Sequence, residues 1–145
     1  MIKRSKKKKN LLYLSLFVLF FALIAIWGQI KKEHLKKGPS AYTVAIITNF
    51  EYGSRVAPWF DYEFKVKDKI YKGTYDIVDK MSKYTGNKLR SYIGKQFFVK
   101  YYIPNPNDNI LLIYKPVPCD IKEAPPEGWK EIPKVAPLPY CKDYK

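Results

Sequence analysis

From Leu11 to Ile30 the chain reads LLYLSLFVLFFALIAIWGQI, with no charged residue and no polar stripe at helical spacing. At 1.5 Å per residue such a run spans about 30 Å as a helix, the hydrocarbon thickness of a bilayer. Tyr13 and Trp27 lie near its two ends, where amphipathic rings favour the headgroup regions. The pattern predicts a transmembrane helix over 11–30, because a domain this small could hardly cover every face of a core helix. A cleaved signal peptide shares the basic start and apolar run. However, the run exceeds the usual h-region and no A-x-A site follows it, so an uncleaved signal-anchor is expected. No cysteine follows closely enough to take a lipid.

Beyond a polar connector, 31–40, closed by Gly38-Pro39, the pattern changes to period two. Tyr42, Val44, Ile46, Thr48 and Phe50 alternate with Thr43, Ala45, Ile47 and Asn49, a β-branched strand expected to be covered on both faces. In Trp59 to Lys67, Phe60, Tyr62, Phe64 and Val66 point one way and Asp61, Glu63, Lys65 and Lys67 the other, which predicts a half-buried antiparallel strand. Asp68 marks a tight turn into a returning strand, 70–77. Residues 78–93 are less regular, with Gly86-Asn87 as a turn and a short helical piece carrying Met81, Tyr84, Leu89 and Tyr92 inward. Strands are then expected at 96–103 and 110–114, joined by a loop over 104–109. The fold class is mainly β: one N-terminal transmembrane helix, then a small five-stranded antiparallel barrel or curled sheet over 41–114. Residues 115–145 carry seven prolines and predict an extended tail lying on that domain, with Trp129 as an anchor.

Charge changes the picture mainly through its placement. Much of the formal +14 flanks the apolar run, with Lys3, Arg4 and Lys6 to Lys9 before it and Lys31, Lys32, Lys36 and Lys37 after it. The more basic side stays cytoplasmic. This places 1–10 inside and the β domain outside the cytoplasm, with Lys31, Lys32, Lys36 and Lys37 as candidate headgroup contacts. Cys119 and Cys141, without histidine nearby, make a poor zinc site. In an oxidising compartment they are disulfide candidates; two free buried thiols are the alternative.

The sequence Phe64-Lys65-Val66, then Tyr71-Lys72-Gly73, then Gly94-Lys95-Gln96-Phe97-Phe98-Val99-Lys100-Tyr101-Tyr102-Ile103-Pro104-Asn105-Pro106, then Asn109-Ile110-Leu111-Leu112 resembles an uncharacterised bacterial domain family. Its members are short membrane proteins whose β-rich domain carries a "GK..V.Y.P.NP" stretch before a final apolar strand. The resemblance implies a small β-fold and membrane residence, and it implies no activity.

Candidate chemistry is sparse. His34 is the single histidine and sits in the juxtamembrane connector, which removes Ser-His-Asp and Cys-His schemes from the β domain. No phosphate loop or nucleophile elbow is present, so neither a cofactor nor a metal is expected. Asp61 and Glu63, two apart on one strand face, could form a carboxylate pair but share that face with lysines. Aromatic–lysine neighbours such as Lys100-Tyr101-Tyr102 suit a single-strand-binding groove. An outside location argues against any nucleic-acid partner. By elimination, the expectation is a non-enzymatic accessory or interaction protein of the bacterial envelope, held in the inner membrane and meeting a partner protein outside. Ile110, Leu112 and Tyr114 are candidate residues of an exposed sheet edge. A lipid- or glycan-binding module is the alternative, and a carboxylate-based envelope enzyme a more distant one.

Overall fold

A computed structural model describes residues 3–53, 57–77, 81 and 85–134, with backbone alone for 3–10. Helix α1 (Lys3–Lys37) contains the apolar run and continues seven residues past it. The expected connector is therefore mostly helical. Glu33 and Lys37 pair across one turn at 2.9 Å, and His34, Lys36 and Lys37 meet the negative end of the helix dipole. The helix stops at Gly38, whose N–H reaches the His34 carbonyl at 3.0 Å, because Pro39 has no N–H with which to continue it.

Five strands follow: β1 (Ser40–Glu51), β2 (Trp59–Val66), β3 (Lys69–Asp76), β4 (Gln96–Tyr102) and β5 (Asn105–Pro116). They form one curled sheet in the order β3-β2-β1-β4-β5, with every hydrogen-bonded pair antiparallel. β3 and β5 therefore run parallel, and the curl brings them within 8 Å, Cα to Cα, without joining their ladders. Helix α2 (Gly86–Arg90) lies in the β3–β4 connection and contributes the buried Leu89. A partly open barrel of five strands, with β1 paired to both β2 and β4, has the connectivity of OB-folds.

In β1 the covered positions are Ala41, Thr43, Ala45 and Ile47. The register then shifts between Ile47 and Asn49, and the bulge turns Phe50 inward. Ile46 and Thr48 are exposed, so this strand is covered mainly on one face and not on both. Phe60, Tyr62 and Phe64 of β2 are buried as the alternation predicts, and Phe97, Val99 and Tyr101 of β4 oppose them. Ring contacts at 5.6–6.1 Å link Phe60, Tyr92 and Phe97 at one end and Phe64, Tyr71 and Tyr101 at the other. Met81 and Leu89 are buried and Tyr92 packs against the core, on Phe60 and Phe97; Tyr84 lies outside the described residues. Gly86-Asn87, expected as a turn, instead opens α2.

The expected loop over 104–109 is shorter than its composition suggests. Only Ile103-Pro104 turns, and β5 already begins at Asn105. Pro106 is tolerated because β5 ends the sheet order. The register slips between Tyr101↔Asn109 and Tyr102↔Asn105, and Asn109 bridges the slip by donating to the Pro106 and Asn107 carbonyls at 2.8 and 3.0 Å.

The described part of the tail returns across the end of the barrel. Trp129 pairs with Tyr42 through two backbone bonds of 2.8 Å, taking the edge of β1 that β2 leaves unpaired past Val66. Its ring meets Phe98 edge-on at 5.9 Å, which buries a residue on the outer face of β4. Trp129 is thus the anchor its sequence setting suggests.

Candidate functional site

Three features stand out once the fold is in place, and the first is the junction of helix and sheet. Tyr102 stacks on the His34 ring at 4.5 Å, and His34 Nδ1 lies 2.9 Å from an Asp108 carboxylate oxygen. Lys100 donates to the Leu35 carbonyl at 2.6 Å, one of the carbonyls a helix end leaves unpaired. A Cβ on Gly38 would fall 2.6 Å from the His34 carbonyl oxygen, so glycine permits this close approach. His34, read from the sequence as a residue of the polar connector, is instead part of the joint. No flexible spacer separates the membrane-length helix from the domain.

The second feature is the seam between β3 and β5. Tyr62 reaches across it, donating to Asn109 Oδ1 at 2.6 Å and bonding to the Leu111 backbone. Its ring passes Gly73, the point on β3 where a Cβ would lie 2.6 Å from the Asn109 oxygen. Burial pushes the Tyr62 phenol well above its ordinary range, with the Leu111 contact opposing weakly. A side-chain bridge thus does what a backbone ladder does elsewhere in the sheet.

The third is an open polar groove of about 480 Å³ beside that seam. Thr48 and Asn49 of β1, Asp61 and Glu63 of β2, and Lys72 and Thr74 of β3 line it, with Asn107 and Asn109 of β5 at one side. Lys31 of α1 completes the wall. Lys72 pairs with Glu63 at 2.9 Å, a hydrogen bond and charge contact that hold the lysine above its usual range. Asp61 accepts from Asn49 at 3.4 Å.

No family model, curated protein or solved structure matches the chain. Its chemistry is therefore read from its own residues.

Asp61 and Glu63 do meet in one groove, but Glu63 is tied to Lys72. The barrel interior is filled by Phe60, Tyr62, Phe64, Phe97, Val99 and Tyr101, so among the described residues the carboxylates face the open groove and not the interior. Among the described residues no cluster of three or more metal-ligating side chains occurs. Of the basic residues after the span, Lys31 faces the groove, Lys37 pairs with Glu33, and Lys32 and Lys36 are exposed. Ile110, Leu112 and Tyr114 share the outer face of β5, the terminal strand; Ile110 and Tyr114 are exposed and Leu112 is half-buried. Cys119 lies in the turn after β5, and Cys141 lies outside the described residues. Sequence reasoning did not find the Tyr62–Asn109 bridge, because Tyr62 reads simply as one more apolar alternation in β2. Lys72-Gly73 was visible only as part of a motif.

Proposed function

We propose that this protein is a single-pass membrane-anchored accessory module of the bacterial envelope, with residues 1–10 in the cytoplasm and the β domain outside. The observation that carries the reading is the nakedness of α1. Every large apolar side chain from Leu11 to Ile30 is 43–79% exposed, and among the described residues the hydrogen bonds that join the helix to the β domain, which has its own filled core, come from His34 and Leu35. One helix is thus long and apolar enough to cross a membrane, and none of its apolar window is buried as a core helix would be. In water such a surface has no covering partner; in a bilayer it needs none.

An uncleaved anchor is favoured by the length of the apolar run and by the lack of an A-x-A site after it. The segment just after the span, His34 to Gly38, is built into the domain through Tyr102, Asp108 and Lys100, so such an anchor would run into the domain without a spacer. The resemblance to short bacterial membrane proteins belongs to the same proposal, and the longest stretch of its motif forms β4, its turn and the start of β5. The outer face of β5, with Ile110, Leu112 and Tyr114, is the surface proposed for a partner protein. Pairing of Cys119 with Cys141 would tie down the tail and fits an oxidising compartment.

Maleimide labelling with a membrane-impermeant reagent tests the topology in intact cells. Labelling only after reduction is the expected result. Labelling only after lysis, with no reductant needed, would turn the domain inward and overturn the reading. The second reading, a lipid-binding module, is favoured by one observation: the polar groove contains Lys31, a residue of the membrane helix itself.

A further inference from the structure

The groove beside the seam has Lys31 of α1 in its wall, and this sets its level along the helix. Lys31 follows directly on Ile30, the last residue of the charge-free run. On the span proposed above, that position is the boundary between hydrocarbon and headgroups. The inference rests on that reading. A groove at this level faces the headgroup layer of the lipid itself.

The charges inside the groove narrow the ligand further. Lys72 and Glu63 satisfy one another at 2.9 Å. Among the described residues the Lys31 ammonium forms no ion pair, and the Asp61 carboxylate, whose charge also acts on Lys72, takes no ion pair of its own and accepts a side-chain hydrogen bond only from the Asn49 amide, at 3.4 Å. One cation and one anion are left facing the same space of about 480 Å³, a size within the roughly 300–1,000 Å³ of small-ligand sites. A ligand that satisfies both carries one charge of each sign. Phosphate against Lys31 and a cation against Asp61 would each gain a charge-assisted bond.

The form of that cation follows from the rest of the wall. Quaternary ammonium groups are held on aromatic faces, and Tyr62, the one aromatic among the described residues that line the groove, is 1% exposed. Hydroxyls and amides of Thr48, Asn49, Thr74 and Asn107 line it instead. These suit an ammonium with N–H donors of its own. We propose that the groove seats the phosphoethanolamine headgroup of a membrane phospholipid, with Lys31 on the phosphate and Asp61, beside Asn49, on the primary ammonium.

The test uses the full-length protein reconstituted in vesicles of mixed phosphatidylethanolamine, phosphatidylcholine and phosphatidylglycerol, with native mass spectrometry reading the lipids retained. Phosphatidylethanolamine should exceed phosphatidylcholine about tenfold or more, the worth of one charge-assisted contact. Asp61→Asn and Lys31→Gln should each remove most of that preference, while Lys122→Gln, exposed and outside the groove, should preserve it. Equal retention of the three lipids, a preference for phosphatidylglycerol, or an equal loss in Lys122→Gln would overturn the proposal. So would displacement of the lipid by inorganic phosphate alone. Alkaline carbonate extraction of the same vesicles separates the two levels of inference. Protein that stays in the membrane without lipid preference refutes the groove alone; protein that is extracted refutes the anchor, and the groove's setting with it.

Discussion

Gly73→Ala is expected to force open the seam between β3 and β5. The added methyl would sit 2.5 Å from Tyr62 Oη and 2.6 Å from Asn109 Oδ1, the two atoms of one buried hydrogen bond. Ordinary van der Waals contact begins near 3.4 Å. The Tyr62 ring is 1% exposed and packed beside Phe64, so it has little room to withdraw. Either β3 backs away or the hydroxyl loses Asn109. Overpacking costs about 1–3 kcal/mol. Leaving the phenol and the amide oxygen without partners adds about 1–3 kcal/mol. Against this, alanine restricts the unfolded chain and returns about 0.4–1 kcal/mol. The net expectation is a loss of about 1–5 kcal/mol, a large share of the roughly 5–15 kcal/mol that a domain has.

Urea denaturation of the full-length protein in detergent, followed by tryptophan fluorescence, measures the loss directly. The same substitution in a Tyr62→Phe background is the sharper experiment. With the hydroxyl absent, part of the clash and the whole of its bond to Asn109 are already gone. The penalty for Gly73→Ala should then shrink by about 1 kcal/mol or more. A Gly73→Ala protein within about 0.5 kcal/mol of the parent would refute the reasoning. An unchanged penalty in the Tyr62→Phe background would do so too.

Tyr62→Phe also carries a pH signature. The unfolded chain gives up this phenolic proton near pH 10, whereas burial makes the folded chain hold it to higher pH. Its contribution is therefore complete below about pH 10 and falls as pH rises beyond that, by at most about 1.4 kcal/mol per unit. Urea midpoints measured from pH 8 to 11 should decline less steeply in the phenylalanine variant. Lys67, in the β2–β3 turn, has φ 54°, a left-handed conformation that costs a side chain roughly 1–2 kcal/mol. Its ion pair with Glu127 is exposed and adds little, so Lys67→Gly should raise stability by about 0.5–1 kcal/mol, read from the thermal midpoint. Trp129→Ala should uncover Phe98 and free the tail from β1, costing about 2 kcal/mol. Limited proteolysis should then cut within 117–134 before it cuts the sheet.

Much of the architecture could be read from alternation alone, because a half-buried strand writes its two faces into consecutive residues. β2 is the clearest case: Phe60, Tyr62 and Phe64 are buried as the pattern requires. β1 was harder, since its bulge between Ile47 and Asn49 changes the phase of the strand midway. No residue type announces that shift. The β4–β5 turn was misjudged for a related reason. Asn, Asp and Pro usually mark loops, but at the end of a sheet Asn109 satisfies the irregular backbone with its own amide. The groove was only half legible. Asp61 and Glu63 share a face by sequence spacing, whereas the arrival of Lys31 depends on a helix continuing through residues that read as a polar connector. His34 was hidden in the same way, because its partners Tyr102 and Asp108 are far away in the chain.

The spacer-free junction at His34 has a mechanical consequence. Tyr102 stacks on the helix, Asp108 and Lys100 grip its last turn, and Gly38 leaves no room for slack. Helix and sheet are thereby welded into one lever. Membrane helices meet a thinner or thicker bilayer largely by changing their tilt. In a protein with a loose tether, that motion would stop at the tether. On the proposed membrane span it would swing the whole β domain, so that the angle at which β5 and the groove present themselves would follow bilayer thickness.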